Sequence, residues 1–301
     1  MFFVYNILHN INFQRFFKVL RNELMIFNCK QDKDNFRLFI TFLFFRITLK
    51  TPNYYFRYWF WRLLRLFEDR QYSGKIATIN KNYKIMSLGT YCLPRVITTF
   101  CGLKPCKQDG EKSCPFDLAF FTNIDKIAEL IENKFICLYD GLEYELPEGF
   151  KYKCWANKKL NAIFNHEYTF SKNELIDRYN SRIKNLYDYF ANKNFHKFCI
   201  IATNTEVSES QIKNLKSVLL KFMDIEEFDI ILINQSPSFI DLKLNNVYVI
   251  NQNKNCRNFS SINKKGDWVG ELRRRKMPEA QKIYNEITSE LIDIIGNRMS
   301  R

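Results

Sequence analysis

KIMSLGTYCLPRVITTFCGLKPCKQDGEKSCPFD, residues 84–117, is the stretch from which the rest of the chain is interpreted. Tyr83 to Leu88 has the apolar content of a short strand, and Gly89 permits a sharp turn after it. Pro94 is tolerated in the first turn of a helix. The pattern therefore predicts a strand, a tight turn, a cysteine and then a helix that begins near Cys92.

A cysteine in that place has the electrostatics of a nucleophile. Unpaired backbone N–H groups and the helix dipole at a helix N-terminus favour a thiolate over a thiol. The same N–H groups, together with those of Gly89, Thr90 and Tyr91, are expected to hold a developing oxyanion. We interpret Cys92 as the candidate nucleophile.

A thiol nucleophile needs a base, and the chain has only three histidines. His9 lies in the basic N-terminal part, and His196 marks the exposed end of a predicted strand. His166, in IFNHEYTF, ends an apolar run and is the best candidate for the general base.

A third group would orient the imidazole ring, and Asp117 in CPFDLAF is the first choice. A carboxylate in such an apolar setting is costly without a partner. The alternative is that Asp117 caps the segment that follows. Three weaker candidates for the third group are Glu167, Asn165 and Asn204.

Other chemistries have less support. A metal site would use Cys101, Cys106, Cys114 and His166, but the spacings Cys-x4-Cys and Cys-x7-Cys match no common zinc motif. The chain has no P-loop, GxGxxG or HExxH motif. We predict neither a metal nor a cofactor. Nine cysteines without a secretory signal indicate a reducing compartment, hence a cytoplasmic protein.

The second half of the chain predicts an open α/β sheet. Three apolar runs are of the kind found in buried parallel strands: HKFCIIAT, FDIILINQ and NNVYVINQ. A helix with Ser208 and Gln211 at capping-box spacing follows the first run, and a second helix is expected from about Pro278 to Ile295. We predict an α/β fold with a mixed or mostly parallel sheet and flanking helices, covering residues 83–301.

Residues 1–82 read as a helical, basic and aromatic extension, because QYSGKIATINKN (71–82) has the composition of a polar connector. Residues 1–81 hold 14 lysines and arginines against 5 acidic residues, a net charge of +9. Amphipathic helices are predicted over residues 1–28 and 54–67. In the second, a basic stripe lies opposite an apolar face with Trp59; the stripe consists of Arg57, Arg62 and Arg65.

This extension has two interpretations. Residues 1–70 contact an anionic membrane surface, giving peripheral membrane association, or the apolar face packs on the protein's own domain. Nucleic acid is the less favoured partner because no recognised binding motif accompanies the charge.

The motifs SLGTYC, CPFD and FNHEY together resemble a family of bacteria and large viruses, of unknown function, described as papain-like cysteine peptidases. The resemblance covers residues 83–170 and maps onto Cys92, then Pro115 to Asp117, then Phe164 to Glu167. Leu118 stands where the family usually has Trp, and Glu167 where it has Asp. A papain-like fold pairs a helical half with an antiparallel barrel, which differs from the predicted α/β sheet.

The resemblance implies a Cys-His enzyme, and the layout of the site favours a thiol hydrolase or acyltransferase. The substrate, a peptide, an acyl compound or a glycan, is left open. One alternative is a glycan-modifying or surface-polysaccharide-modifying enzyme at the inner membrane, with Arg273 to Arg275 in its site. The other is a non-enzymatic adaptor at a membrane surface.

Overall fold

The computed structural model describes seven parts of the chain: residues 28–32, 37–42, 45–50, 70–121, 123–150, 152–252 and 278–300. The chain divides into two compact units, residues 1–67 and 68–301.

The first unit contains a three-stranded antiparallel sheet in the order β1-β2-β3. Its strands are β1 Asn28–Asp32, β2 Arg37–Phe42 and β3 Phe45–Lys50. Apart from Asn28, the two helices predicted over residues 1–28 and 54–67 lie outside the described residues, so the membrane contacts predicted for them stay predictions. Within the described residues, no helix combines the length and the apolar character needed to cross a bilayer.

The second unit contains two further sheets and six described α-helices. The helices are α1 Arg70–Ala77, α2 Leu93–Phe100, α3 Ile124–Glu132, α4 Lys172–Ala191, α5 Glu209–Leu219 and α6 Pro278–Met299. The strands are β4 Tyr83–Ser87, β5 Phe120–Phe121, β6 Leu142–Glu145, β7 Cys154–Asn157, β8 Ala162–Phe164, β9 His196–Thr203, β10 Phe228–Asn234 and β11 Val247–Asn251.

The larger sheet is wholly parallel among its described strands, in the order β11-β10-β9-β4. Strands β9 and β10 are buried on both faces, which explains why they read as continuous apolar runs rather than as alternating ones. Because the four strands run in one direction, their carboxyl ends meet at one edge of the sheet.

Helices cover both faces of this sheet. Alternate residues of β9 and β10 point to opposite sides, so Cys199 and Ile201 contribute to a core with α3, α4 and α5. Ile200 and Ala202 contribute to a second core with α1, α2 and α6. The result is a three-layer arrangement of helices, sheet and helices.

The smaller sheet is antiparallel, in the order β5-β8-β7-β6, and it is inserted between β4 and β9 along the chain. The predicted α/β class with a mostly parallel sheet is confirmed, but this second sheet was not predicted. Its strands contain two to four residues, too few to give a period-2 pattern.

Two predicted local features differ from the structure. Residues 71–82, predicted as a polar connector, contain most of α1, whose buried Tyr72 and Ile76 belong to the second core. Helix α6 continues past Gly296 to Met299. The helix is therefore longer than predicted, since its end was expected at about Ile295.

Candidate functional site

The turn before Cys92 is held against β9 by backbone hydrogen bonds. Leu88 N–H donates to the Ile200 carbonyl (2.8 Å), and Thr90 N–H donates to the Ala202 carbonyl (3.2 Å). The Thr90 hydroxyl donates to the same Ala202 oxygen (2.8 Å). The turn therefore extends the line of β4 at the carboxyl edge of the parallel sheet. Since the Thr90 N–H already has this partner, it is a poor donor for the oxyanion role predicted for it.

Gly89 suits this turn because a side chain there would be crowded by its neighbours. A β-carbon at this position would lie 2.9 Å from Pro94 Cγ, 3.1 Å from the Tyr91 carbonyl oxygen and 3.2 Å from the Ala202 nitrogen. Two of these neighbours are backbone atoms, which cannot move aside as a flexible side chain can. The close approach allows the turn to fold directly into α2.

Cys92 is the N-cap residue of α2, as predicted, and it is half-buried. Its carbonyl accepts the first helical hydrogen bond, from Val96 N–H (3.0 Å). Its thiol makes no capping hydrogen bond. The first-turn N–H groups of Leu93 and Arg95 have no helical carbonyl to bond, because a helix leaves its first N–H groups without internal partners. They are the donors that the helix presents beside the cysteine.

Strand β5 joins the cysteine turn to the antiparallel sheet. Phe121 N–H donates to the Thr90 carbonyl at 2.7 Å. The ring of Phe120 stacks on the ring of Tyr91, with centroids 5.7 Å apart. On its other side β5 pairs with β8, Phe120 opposite Ile163. The two residues of β5 are therefore a bridge between the two sheets.

His166 lies three residues beyond Ile163 on a 3-10 turn, Asn165–Glu167, and it is the exposed residue of that turn. Strand β8 ends at Phe164, immediately before this turn. Because β5 and β8 are antiparallel, the start of β5 and the end of β8 lie at the same end of the pair. The turns that carry Asp117 and His166 thus flank one end of a strand pair that is bonded to the cysteine turn.

Asp117 is fully buried in a cluster of charged groups. Its Oδ2 accepts a hydrogen bond from Cys114 N–H (2.8 Å), which caps the 3-10 turn Pro115–Asp117. The carboxylate also lies 3.6 Å from Lys104 Nζ and 3.7 Å from Arg95 Nη1. Since Arg95 is three residues beyond Cys92, Asp117 holds the helix that carries the candidate nucleophile. The predicted orientation of the imidazole by Asp117 stays a prediction.

The cluster continues through Lys104, a lysine whose side chain is buried. Its Nζ donates to the Ile85 carbonyl (2.6 Å) and lies 3.7 Å from Glu111 Oε1. Lys84 pairs with the same Glu111 carboxylate (3.3 Å). The sequence does not mark Lys104 or Glu111, because isolated charges in a loop are usually solvent-exposed.

Glu167 fixes the turn that carries His166. Its side chain is buried, and Oε1 accepts a hydrogen bond from Arg182 Nη2 of α4 at 2.7 Å. Arg178 Nε lies 3.5 Å from the same oxygen. The guanidinium of Arg182 also lies over the ring of Tyr179, 4.6 Å from its centroid. Glu167 therefore directs its carboxylate to α4 and anchors its neighbour His166.

Three other cysteines have a raised thiol pKa, and a fourth, Cys106, hydrogen-bonds to a carboxylate. Burial, and secondarily the charge of Asp117, raises the pKa of Cys114; burial likewise raises the pKa of Cys199. Burial and the charge of Glu145 raise the pKa of Cys154 to about 11. Cys106 donates to Asp109 Oδ2 (2.6 Å).

No three His, Cys, Asp or Glu side chains in the described part of the chain form a group that could hold a metal ion. The alternative site of Cys101, Cys106, Cys114 and His166 is therefore not assembled. These four residues belong instead to a helix end, two loop turns and the turn after β8.

A polar network at the carboxyl edge was not predicted. Asn234 and Asn251 lie opposite each other at the ends of β10 and β11, and Asn234 Nδ2 donates to Asn251 Oδ1 (2.8 Å). Asn234 Nδ2 also donates to the Ser238 carbonyl (2.7 Å), and Asn251 Nδ2 to the Ile240 carbonyl (2.7 Å). The repeated Ile-Asn-Gln at the end of both apolar runs is the sequence signal that marks this network.

Residues 273–275, the arginines of the glycan-modifying alternative, lie outside the described residues. A comparison of this chain with family models, with curated proteins and with solved structures finds no match.

Proposed function

We propose that this protein is a thiol-dependent hydrolase or acyltransferase, with Cys92 as the nucleophile and His166 as the general base. The proposal rests on the hydrogen bonds and strand pairing that connect the turn of Cys92 to the strand before His166. Cys92 begins a helix at the carboxyl edge of a parallel sheet, and its turn is hydrogen-bonded to β5, which pairs with the strand leading to His166. In open α/β sheets, this edge is where ligands bind.

The reaction is acyl transfer through a covalent intermediate. The Cys92 sulfur, after giving its proton to His166, attacks the substrate carbonyl carbon and forms a C–S bond. The carbonyl π electrons move to oxygen, and backbone N–H groups at the start of α2 stabilise that oxyanion. As the tetrahedral intermediate collapses, the imidazolium returns the proton to the leaving amine or alcohol. Water or an acceptor nucleophile then releases the acyl group by the same steps in reverse.

Two buried carboxylates act as positioning groups in this proposal. Asp117 holds α2 through Arg95, and Glu167 holds the histidine turn through Arg182. Arg95 is three residues after Cys92, and Glu167 is the residue next to His166. This assignment gives the Glu167 of the FNHEY motif a role that does not require it to touch the substrate.

A peptide or another acyl compound is the proposed substrate, in line with the resemblance to papain-like cysteine peptidases. Location in the cytoplasm, with peripheral membrane association through residues 1–70, remains part of the proposal. The glycan-modifying and adaptor alternatives rest mainly on residues outside the described part of the chain, and no described contact favours either.

The test is the rate at which each cysteine of the native protein reacts with iodoacetamide at pH 7, measured by mass spectrometry of digested peptides. We expect Cys92 to react fastest. His166→Gln should slow that reaction roughly tenfold, because less of the thiol is then ionised. Cys114, Cys154 and Cys199 should stay unmodified, since burial raises their pKa.

Cys137 is the matched internal control, because it is half-buried as Cys92 is. Alkylation of Cys92 no faster than that of Cys137 would contradict the proposal. So would an unchanged Cys92 rate in His166→Gln protein that keeps the unfolding midpoint of the parent.

A further inference from the structure

A patch of exposed aromatic and apolar side chains lies beside the turn that carries His166. Seven large apolar or aromatic side chains are exposed in the described part of the chain, and four of them fall between residues 144 and 168. We call these four the tyrosine patch; they are Tyr144, Leu146, Tyr152 and Tyr168. Apolar side chains on a protein surface are usually scattered singly. A group of them is typical of a binding surface.

The tyrosines of the patch contact one another. The Tyr144 hydroxyl donates to the Tyr168 carbonyl (2.9 Å), and the rings of Tyr152 and Tyr168 have centroids 4.7 Å apart. The ring of Tyr144 also packs against Trp155, 5.2 Å between centroids. Trp155 is fixed in turn, since its Nε1–H donates to the Phe170 carbonyl (2.8 Å). The patch is therefore a pre-formed surface, which lowers the entropic cost of binding.

The patch adjoins the candidate site. Tyr168 is two residues after His166, and both belong to the segment that Glu167 and Arg182 hold in place. A ligand resting on Tyr168 therefore lies next to the candidate general base. This position links the patch to the reaction rather than to an unrelated partner.

Strand β6, which carries Tyr144, is an edge strand of the antiparallel sheet among the described residues. It pairs with β7 on one side only, so its other side presents backbone N–H and C=O groups. These groups match the backbone of an extended peptide, which can add to a sheet edge as a further strand. A sugar chain or a lipid has no such repeating pattern of amide donors and acceptors.

The charges on β6 are directed away from the patch. Side chains alternate along a strand, so Glu143 and Glu145 project to the face opposite Tyr144. Both carboxylates pair there with Lys158, at 3.3 Å and 2.6 Å. The Tyr144 face of the strand is thus uncharged, which suits apolar side chains of a bound peptide.

We propose that the tyrosine patch and the outer edge of β6 bind an extended, unfolded peptide segment that leads to the Cys92 site. This inference rests on the proposed function and gives it a substrate class, a polypeptide. Main-chain hydrogen bonds to β6 provide affinity, and apolar side chains of the peptide contact the tyrosine rings.

The test uses the full chain with Cys92→Ala, which removes turnover, and fluorescein-labelled β-casein as an unfolded polypeptide probe. Binding is measured by fluorescence polarisation. We expect the Tyr144→Ala/Tyr168→Ala double variant to raise the dissociation constant at least about tenfold. Ile136→Ala, which removes an even more exposed apolar side chain outside the patch, should leave it unchanged. Leu146→Asp, a surface change, provides the same test if the double variant fails to fold.

Hydrogen exchange identifies the mode of binding. Casein should slow the exchange of backbone amides within residues 143–146. Equal affinity of the patch variants and the Ile136→Ala control overturns the proposal. So does binding of chito-oligosaccharides that is lost in the patch variants while casein does not bind. Because binding is measured without the nucleophile, these outcomes are independent of the alkylation test of Cys92.

Discussion

The turns that carry Cys92 and His166 are held in place by different forces. The cysteine turn is fixed by main-chain hydrogen bonds to β9 and contains a glycine where a side chain would be crowded. The histidine turn is fixed by a buried ion pair between Glu167 and Arg182. The cysteine turn should therefore be destabilised by a larger side chain, and the histidine turn by the loss of a charge. A site assembled from both should respond to two distinct classes of mutation.

The largest effect is expected on the histidine side. Arg182→Met leaves the Glu167 carboxylate buried without its hydrogen-bonded partner, at a cost of about 3 kcal/mol in the free energy of unfolding. Urea unfolding followed by circular dichroism measures it. The reaction of Cys92 with iodoacetamide should slow in the same variant under native conditions, because the turn that carries the proposed base, His166, is displaced.

Two further variants distinguish the buried pair from a surface contact. Arg178→Met removes a side chain that is 38% exposed and should cost less than about 1 kcal/mol. Adding Glu167→Gln to Arg182→Met should recover part of the lost stability, since the buried charge is gone. If the double variant is less stable than Arg182→Met alone, the ion pair is not what fixes this turn.

A smaller effect is expected on the cysteine side. Gly89→Ala places a methyl group against Pro94 and two backbone atoms, and overpacking of this kind costs about 1–3 kcal/mol. The same substitution at Gly74, in α1, meets no atom within 4 Å and should be neutral or slightly stabilising. Thermal unfolding of the two variants gives the comparison, and equal midpoints would show that the turn can accept a side chain.

The smallest effect concerns α4, the helix that supplies Arg182. Its capping box consists of Ser171 and Glu174, whereas that of α5 consists of Ser208 and Gln211. Hydrogen bonds from the Ser171 N–H and hydroxyl hold the pKa of Glu174 below its usual value. A lowered carboxyl pKa stabilises the fold above the unfolded-state pKa, and that stabilisation is lost as the pH falls through the folded-state value.

We therefore expect Ser171→Ala to cost about 1 kcal/mol at pH 7 and less at pH 3, whereas Ser208→Ala should cost a similar amount at both. Urea titrations at the two pH values measure the four free energies. A pH-independent cost at Ser171 would mean that the Glu174 carboxylate does not take part in the cap.

The parallel sheet was predictable because its signals are local. Strands β9 and β10 are long apolar runs, and α5 begins with a capping box that the sequence displays directly. Strand β5 could not be predicted, since its two residues are defined by partners at Thr90 and Ile163 that lie far away in the chain. Tertiary pairing of that kind leaves no periodic pattern in the sequence.

The site was predictable only in part, for a similar reason. The helix start at Cys92 follows from glycine and proline at fixed spacing, and the structure confirms it. The partners of Asp117 and Glu167 do not follow, because Lys104 and Arg182 look like ordinary exposed charges in the sequence. Burial decides their role, and burial depends on the complete fold.

The bond between Thr90 and Ala202 also has a consequence for folding. Its partners are 112 residues apart, so the cysteine turn cannot close until β9 has left the ribosome. At roughly 5–20 residues per second, that delay is on the order of ten seconds. During this interval Cys92 lacks the backbone contacts to β9 that hold its turn. In the proposed mechanism, the nascent chain therefore carries an unactivated cysteine until the domain is complete.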